Sequence, residues 1–265
     1  MRLIISAVTW DQYLRSGMCQ LELVPVADKY GCAGIEFRPY WRSSIEELYE
    51  IKDFLAEYQL ECTYAANDCL LAATDEGARQ ALLSVEKSLA KAERLGAKVF
   101  RLLLAVGPVD RSMLEAGWWR QAISQLIDDA AAKGIVLAVE NAPNPTTGDA
   151  ELLRDLVAPF ASPWLKVTFD TGNWLPAGWD PLKAAHILAG HIGYVHLKDM
   201  VNRPDGFVPA YPGGGDMDFA AIIAKLEQTG YKGLYALEFP GGRSPASKVK
   251  ASLKHLRKLN FECTK

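Results

Sequence analysis

No apolar run in this chain approaches the roughly 18 residues needed to cross a bilayer, so no membrane partner is expected. Positive charge is not in surplus either: 32 acidic residues stand against 29 basic ones, a net charge of −3. Such a balance builds no basic field for phosphate backbones, which excludes nucleic acid as an expected partner. Cysteine is sparse and shows no Cys-x-x-Cys spacing: the five residues are Cys19, Cys32, Cys62, Cys69 and Cys263, an odd number. They read as reduced thiols of a cytoplasmic protein. Met1 leads directly into strand-like sequence without a signal-peptide pattern, so export is not expected. Linkers, low-complexity tracts, charge blocks and repeats longer than one βα unit are also missing, which predicts one domain over 1–265. Gly213-Gly214-Gly215 is no phosphate loop, because no strand leads into it and no Gly-Lys-Ser/Thr follows.

Apolar content is ample, at 49% of the chain against 23% charged residues, which is enough for a large core. Short β-rich runs alternate with longer segments of helical period, the pattern of a parallel sheet covered by helices. The strands read as 3–6, 34–38, 62–66, 98–104, 136–141, 166–170, 194–198 and 234–239. Eight such units in 265 residues, close to the ~250 of an eight-fold barrel, predict an α/β fold, a single-domain (β/α)8 TIM barrel. Leu82, Val85, Leu89 and Ala92 share one helical face, as do Phe219, Ile222, Ile223 and Leu226, and both stripes should pack on the barrel. Helix starts are signalled by Ser44 with Glu47, by Asp180-Pro181 and by Asp218; Gly31, Gly96, Gly134 and Gly230 follow helix ends. The stretch 200–215, rich in Gly and Pro, reads as an irregular loop and a mobile lid.

Side chains of a closed parallel barrel alternate between interior and helix layer, and its chemistry collects where the strands end. The fifth strand ends on Glu140-Asn141, the sixth on Asp170, the seventh on His196-Leu197-Lys198 and the eighth on Glu238. Three carboxylates converging on one pocket would repel each other and take up protons unless a cation joined them. Glu140, Asp170, His196 and Glu238 are therefore the expected ligands of one divalent ion. Their hard oxygen donors lean towards Mn2+ or Mg2+, with Co2+ and Zn2+ also compatible.

The ordered combination Gly34-Ile35-Glu36, Val139-Glu140-Asn141, Phe169-Asp170-Thr171-Gly172-Asn173, His196-Leu197-Lys198-Asp199 and Leu237-Glu238-Phe239-Pro240 resembles the xylose-isomerase-like TIM barrels over nearly the whole chain. That family includes sugar and sugar-phosphate isomerases and epimerases, together with some sugar dehydratases. The resemblance implies that Glu140, Asp170, His196 and Glu238 hold the metal and that Glu140 and Glu238 double as acid and base. It departs at Asn173, where many epimerases of this type have histidine, and at Thr146, where some have a second glutamate.

Further residues are candidates for substrate contact. Lys198 shares a face with His196 and could hold a phosphate, carboxylate or enediolate oxygen; a plain ion pair with Asp170 or Asp199 is the structural alternative. Glu36 and Arg38 share a face of the second strand, where they either meet substrate hydroxyls or form an internal ion pair. Arg101, Asn141 and Asn173 could donate hydrogen bonds to substrate. Trp10, like Trp174, could stack on a sugar's apolar face or wall the pocket. His186, His191 and His255 fall outside the strand-end set and read as structural or surface residues.

The expected reaction is proton transfer through a metal-bound cis-enediolate, giving epimerisation or aldose–ketose isomerisation of a sugar or sugar phosphate. Loss of a β-hydroxyl at the same site would instead make a keto-sugar dehydratase of inosose or dehydroshikimate type. A non-catalytic sugar-binding barrel is the alternative outside enzymology. An abasic-site endonuclease of the endonuclease IV kind is disfavoured, because it needs several strand-end histidines and a basic groove. The sequence is compatible with a homo-oligomer and does not select the sugar.

Overall fold

The computed structural model describes residues 1–42, 46–107, 109 and 111–261; the expected cap at Ser44 and the thiol of Cys263 lie outside them. Eight apolar, β-branched runs become parallel strands: β1 (Arg2–Ser6), β2 (Gly34–Phe37), β3 (Glu61–Cys69), β4 (Val99–Leu103), β5 (Val136–Glu140), β6 (Leu165–Asp170), β7 (Ile192–Leu197) and, after a hairpin of β8 (Asp199–Arg203) and β9 (Gly206–Ala210), β10 (Leu234–Leu237). The order β1-β10-β7-β6-β5-β4-β3-β2 closes on itself, so the predicted (β/α)8 TIM barrel forms and every predicted strand overlaps an observed one.

The helical layer comprises α1 (Asp11–Arg15), α2 (Leu23–Lys29), α3 (Glu46–Glu57), α4 (Asp75–Leu95), α5 (Gly117–Lys133), α6 (Ala150–Val157), α7 (Pro181–Ile187), α8 (Phe219–Gln228) and α9 (Pro245–Lys258). Their ends follow the expected punctuation. Asp180 and Asp218 accept backbone N–H groups at the starts of α7 and α8, and Gly96 and Gly134 close α4 and α5 in the left-handed conformation. None of the helices among the described residues is long and apolar enough to cross a membrane. Among those residues no disulfide joins the cysteines.

Period-two alternation divides the core in two. The larger part, including the predicted stripes on α4 and α8, lies between strands and helices. A smaller cluster of Ile4, Ala33, Val99, Ala138, Tyr194, Leu234 and Ala236 plugs the barrel interior. Two residues further along several of these strands the same inward face turns polar, at Ser6, Arg101, Glu140, His196 and Glu238. The apolar plug is thus the floor on which the strand-end residues stand.

The stretch 200–215 departs from the expected irregular loop. Its first half is the antiparallel hairpin β8–β9, turned at Pro204-Asp205 between Arg203 and Gly206. Its second half is tied to the fully buried carboxylate of Asp199: Oδ2 accepts from Gly213 and Gly215 N–H, both at 2.9 Å, and Oδ1 from Met200 at 2.8 Å and Met217 at 3.1 Å. Gly215 is required there, since a Cβ would lie 2.4 Å from Asp199 Oδ1. Asp199 is accordingly a loop anchor rather than the partner of Lys198. Asp199→Ala would leave four backbone N–H donors, that of Met200 buried and the others part-buried, without their acceptor, and a loss of about 3 kcal/mol is expected from the ~1.5–3 kcal/mol typical of one hydrogen bond to a charged group. Urea denaturation checks this; an unchanged midpoint would contradict the anchoring role.

Candidate metal centre

Glu140, Asp170 and His196 end neighbouring strands, and one donor atom from each lies within 4.8 Å of the others. The register explains the convergence: Asp170 pairs with His196 across β6 and β7, while Glu140 pairs with Thr168 across β5 and β6. Asp170 and His196 are fully buried and Glu140 is only 6% exposed.

Asp170 is oriented by backbone. Its Oδ1 accepts from the N–H groups of Gly172 and Asn173, each at 3.0 Å, leaving Oδ2 without an aligned hydrogen-bond partner. Asn141 fixes the Asp170 peptide from the other side, receiving its N–H at 2.7 Å and donating to its carbonyl at 3.1 Å. Asn173 donates to the Asn141 carbonyl at 2.8 Å. Both asparagines therefore position Asp170 in this structure rather than present their amides to a substrate. Burial pushes the Asp170 carboxyl up, and despite the Lys198 ammonium it reaches about 6, with Glu238 and Glu140 adding to the rise. This carboxylate wants a cation.

His196 is held by Glu36. Its Nε2 lies 2.7 Å from Glu36 Oε2, so the ring donates there and Nδ1 faces the other two members of the triad. Nδ1 is 2.6 Å from Glu140 Oε1 and 3.9 Å from Asp170 Oδ2, yet has no partner in hydrogen-bond alignment. Two buried atoms, Nδ1 and Asp170 Oδ2, are thus left aimed at common ground between carboxylates. Nitrogen and oxygen donors in that arrangement fit a divalent cation. Burial lowers the affinity of His196 for a proton, but Glu36 and Glu140 more than reverse this and raise it to about 10. Without a metal, a proton supplies the missing positive charge.

Glu36 does not reach the mouth. It is fully buried in the barrel and accepts from Ser6 Oγ at 2.6 Å, Tyr194 Oη at 2.9 Å and Arg38 Nε at 3.1 Å, besides His196. Of the two readings for Glu36 and Arg38, the internal ion pair is the one the structure displays. Burial pushes Glu36 up, but His196 and Arg38 outweigh it and hold the carboxyl well below the usual range. Ser6 and Tyr194 were not picked out from sequence, although Tyr194 stands two residues before His196 on the same face.

Glu238, the fourth expected ligand, stands apart from the triad. It is held by Arg38 Nη2 at 3.1 Å and by Lys198 Nζ at 3.4 Å. Lys198 also lies 2.7 Å from Asp170 Oδ2. Arg101 reaches Glu140 Oε2 at 3.3 Å and donates to the Ala66 carbonyl at 2.8 Å, while its Nε has no hydrogen-bond partner among the described residues. Burial raises Glu140, but Arg101, His196 and Lys198 bring it down to about 2. Glu238 is likewise lowered, with Lys198 and Arg38 overcoming burial. Both glutamates are therefore ionised near neutrality. Trp10 is 5% exposed and packs in the larger core cluster, and fully buried Trp174 packs on Phe169 with ring centroids 5.1 Å apart.

The model of the xylose isomerase-like TIM barrel matches residues 24–259. The chain belongs to that family. L-ribulose-5-phosphate 3-epimerase UlaE of Escherichia coli O1:K1 / APEC is 25% identical over 264 residues, covering 91% of this chain and 89% of the relative. The same-named protein of Salmonella paratyphi C (strain RKS4594) is 29% identical over 135 residues, a match spanning 49% of this chain and about half of the relative, 46%. A crystal structure described as IOLI protein with a binding zinc atom superposes with a TM-score of 0.79 over 98% of both chains at 16% identity, which speaks for the fold.

Proposed function

We propose that this chain is a divalent-metal-dependent epimerase or isomerase of a sugar or sugar phosphate, with Glu140 and Glu238 as its proton-transfer pair. The observation that carries this reading is the pair of buried atoms, His196 Nδ1 and Asp170 Oδ2, that make no aligned hydrogen bond to the described residues and face one another among carboxylates at a barrel mouth. Relatives named as L-ribulose-5-phosphate 3-epimerases support the reaction class.

Glu140, Asp170 and His196 would hold the ion, with Glu238 joining them. The carboxylate-rich set favours Mn2+, with Mg2+, Co2+ or Zn2+ as alternatives. The bound cation would polarise a substrate carbonyl and acidify the adjoining C–H.

The residues of the chain supply the rest. Glu140 on β5 and Glu238 at the end of β10 stand in sectors of the barrel separated by β6 and β7. One carboxylate can take the proton from carbon on one face while the other, once it has taken up a proton from solvent, gives that proton to the opposite face, which inverts the centre. Return of the proton to the neighbouring carbon, with a hydroxyl proton passing between the two oxygens, would interconvert aldose and ketose. Arg101, with its free Nε, and Lys198 can meet the oxygen on which negative charge develops.

The test is to incubate the Mn2+-loaded protein in D2O with L-ribulose 5-phosphate and a panel of ketoses, keto-sugars and their phosphates, followed by NMR. Deuterium should enter a carbon next to the carbonyl as an epimer or isomer accumulates, and chelation should stop it. Sugar binding without exchange of any carbon-bound proton would overturn the proposal.

A further inference from the structure

Lys198 occupies ground that a divalent ion would need. Its backbone is clamped to Thr171, with Lys198 N–H donating to Thr171 Oγ1 at 2.9 Å and that hydroxyl lying 2.7 Å from the Lys198 carbonyl. The root of the side chain is fixed, whereas its four-carbon stem ends in a point charge that can turn. Nζ lies 2.7 Å from Asp170 Oδ2 and 3.4 Å from Glu238 Oε2. That Asp170 oxygen is the one left free by the backbone, and it also faces His196 Nδ1 at 3.9 Å. The 2.7 Å contact is an ion pair between the ammonium and a fully buried carboxylate. The side chains of Lys198 and Glu238 are each 12% exposed, whereas those of Asp170 and His196 are at 0%. Lys198 and Glu238 are thus the more accessible members of the cluster.

We infer that Lys198 is a built-in counter-cation that holds Asp170 and Glu238 until a divalent ion arrives, then yields its place and releases Glu238 to complete the ligand set. The inference rests on the metal reading proposed above. A dication and an ammonium cannot share one carboxylate oxygen at close range without strong repulsion in a buried setting. The displaced Nζ remains tethered at the mouth, where it can take an oxygen of the substrate. Lys198 would thus lower the affinity for metal while keeping the acidic centre intact without it, and it accounts for Glu238 standing apart from the other three.

The experiment compares Lys198→Met, similar in length and uncharged, with the wild-type chain and Lys198→Arg, in the absence of substrate. Free Mn2+ is read by electron paramagnetic resonance during titration of each full-length protein, and melting temperatures are taken with and without Mn2+. Lys198→Met should bind Mn2+ at least tenfold more tightly than wild type, melt lower without metal and recover with it; Lys198→Arg should stay close to wild type. If Lys198→Met folds only when Mn2+ is present, the counter-cation role is equally supported. Unchanged or weaker Mn2+ binding by folded Lys198→Met would overturn the inference alone, as would tightening by Lys198→Arg to match it. Absence of Mn2+ binding by all three would overturn the metal reading with it.

Discussion

Glu238→Gln is expected to slow solvent-proton exchange into substrate by about 10^2–10^4-fold, the usual contribution of one positioned acid or base. The fold should survive, because glutamine keeps the shape and can still accept from Arg38 Nη2, which lies 3.1 Å from Oε1. Metal binding should weaken without vanishing, since Glu140, Asp170 and His196 converge without Glu238. Glu140→Gln makes the informative contrast. Glu140 belongs to the triad and lies 2.6 Å from His196 Nδ1, so its replacement should impair Mn2+ binding and exchange together. Paired Mn2+ titrations and D2O exchange rates separate the two roles. Full exchange in both variants would show that neither glutamate moves the proton.

The second large effect lies beneath the centre. Glu36→Ala removes the acceptor shared by Ser6, Arg38, Tyr194 and His196. Arg38 keeps only Glu238 as a carboxylate partner, and His196 Nε2 loses the group that fixes its tautomer. Removing one member of a buried ion pair typically costs about 3–5 kcal/mol, and loss of the partner that orients a metal-bound histidine typically weakens metal binding by about 10–100-fold. Both effects are expected, and they separate in Glu36→Gln, which retains a hydrogen-bond acceptor for His196 while losing the charge beside Arg38. Urea denaturation and Mn2+ titration read them independently. If Glu36→Ala matched wild type in both, Glu36 would not be the support described.

The closed barrel was legible because its code is short-range. Apolar strands with a period of two, helices punctuated by Asp180, Asp218, Gly96 and Gly134, and a polar residue closing each of the late strands are local features. The candidate ligands emerged from the same logic, since Glu140, Asp170 and His196 each stand two residues beyond an inward-facing residue on their strands. What escaped depends on contacts between distant segments. Glu36 is read from sequence as a substrate contact or ion pair, and only closure of the barrel brings it to His196, 160 residues away. Asn141 and Asn173 are plausible substrate donors until Asp170 lies between them. The hairpin β8–β9 did leave a local signal in Pro204-Asp205-Gly206, a strong turn sequence, but each strand beside it has only five residues and the second contains Pro209. The displacement of Glu238 from the triad has no sequence signature, because it depends on where the Lys198 ammonium comes to rest.

The central claim is that one divalent ion is held at the mouth of the barrel through His196 Nδ1 while Nε2 remains on Glu36. Anomalous diffraction at the manganese edge from crystals of the Mn2+-loaded protein tests it most directly. The account predicts one peak per chain within bonding distance of Glu140, Asp170 and His196 Nδ1, with Glu238 drawn in and Lys198 turned towards solvent. A Mn2+-saturated crystal with no peak at the mouth, or with the ion on the Nε2 side of His196, would contradict it.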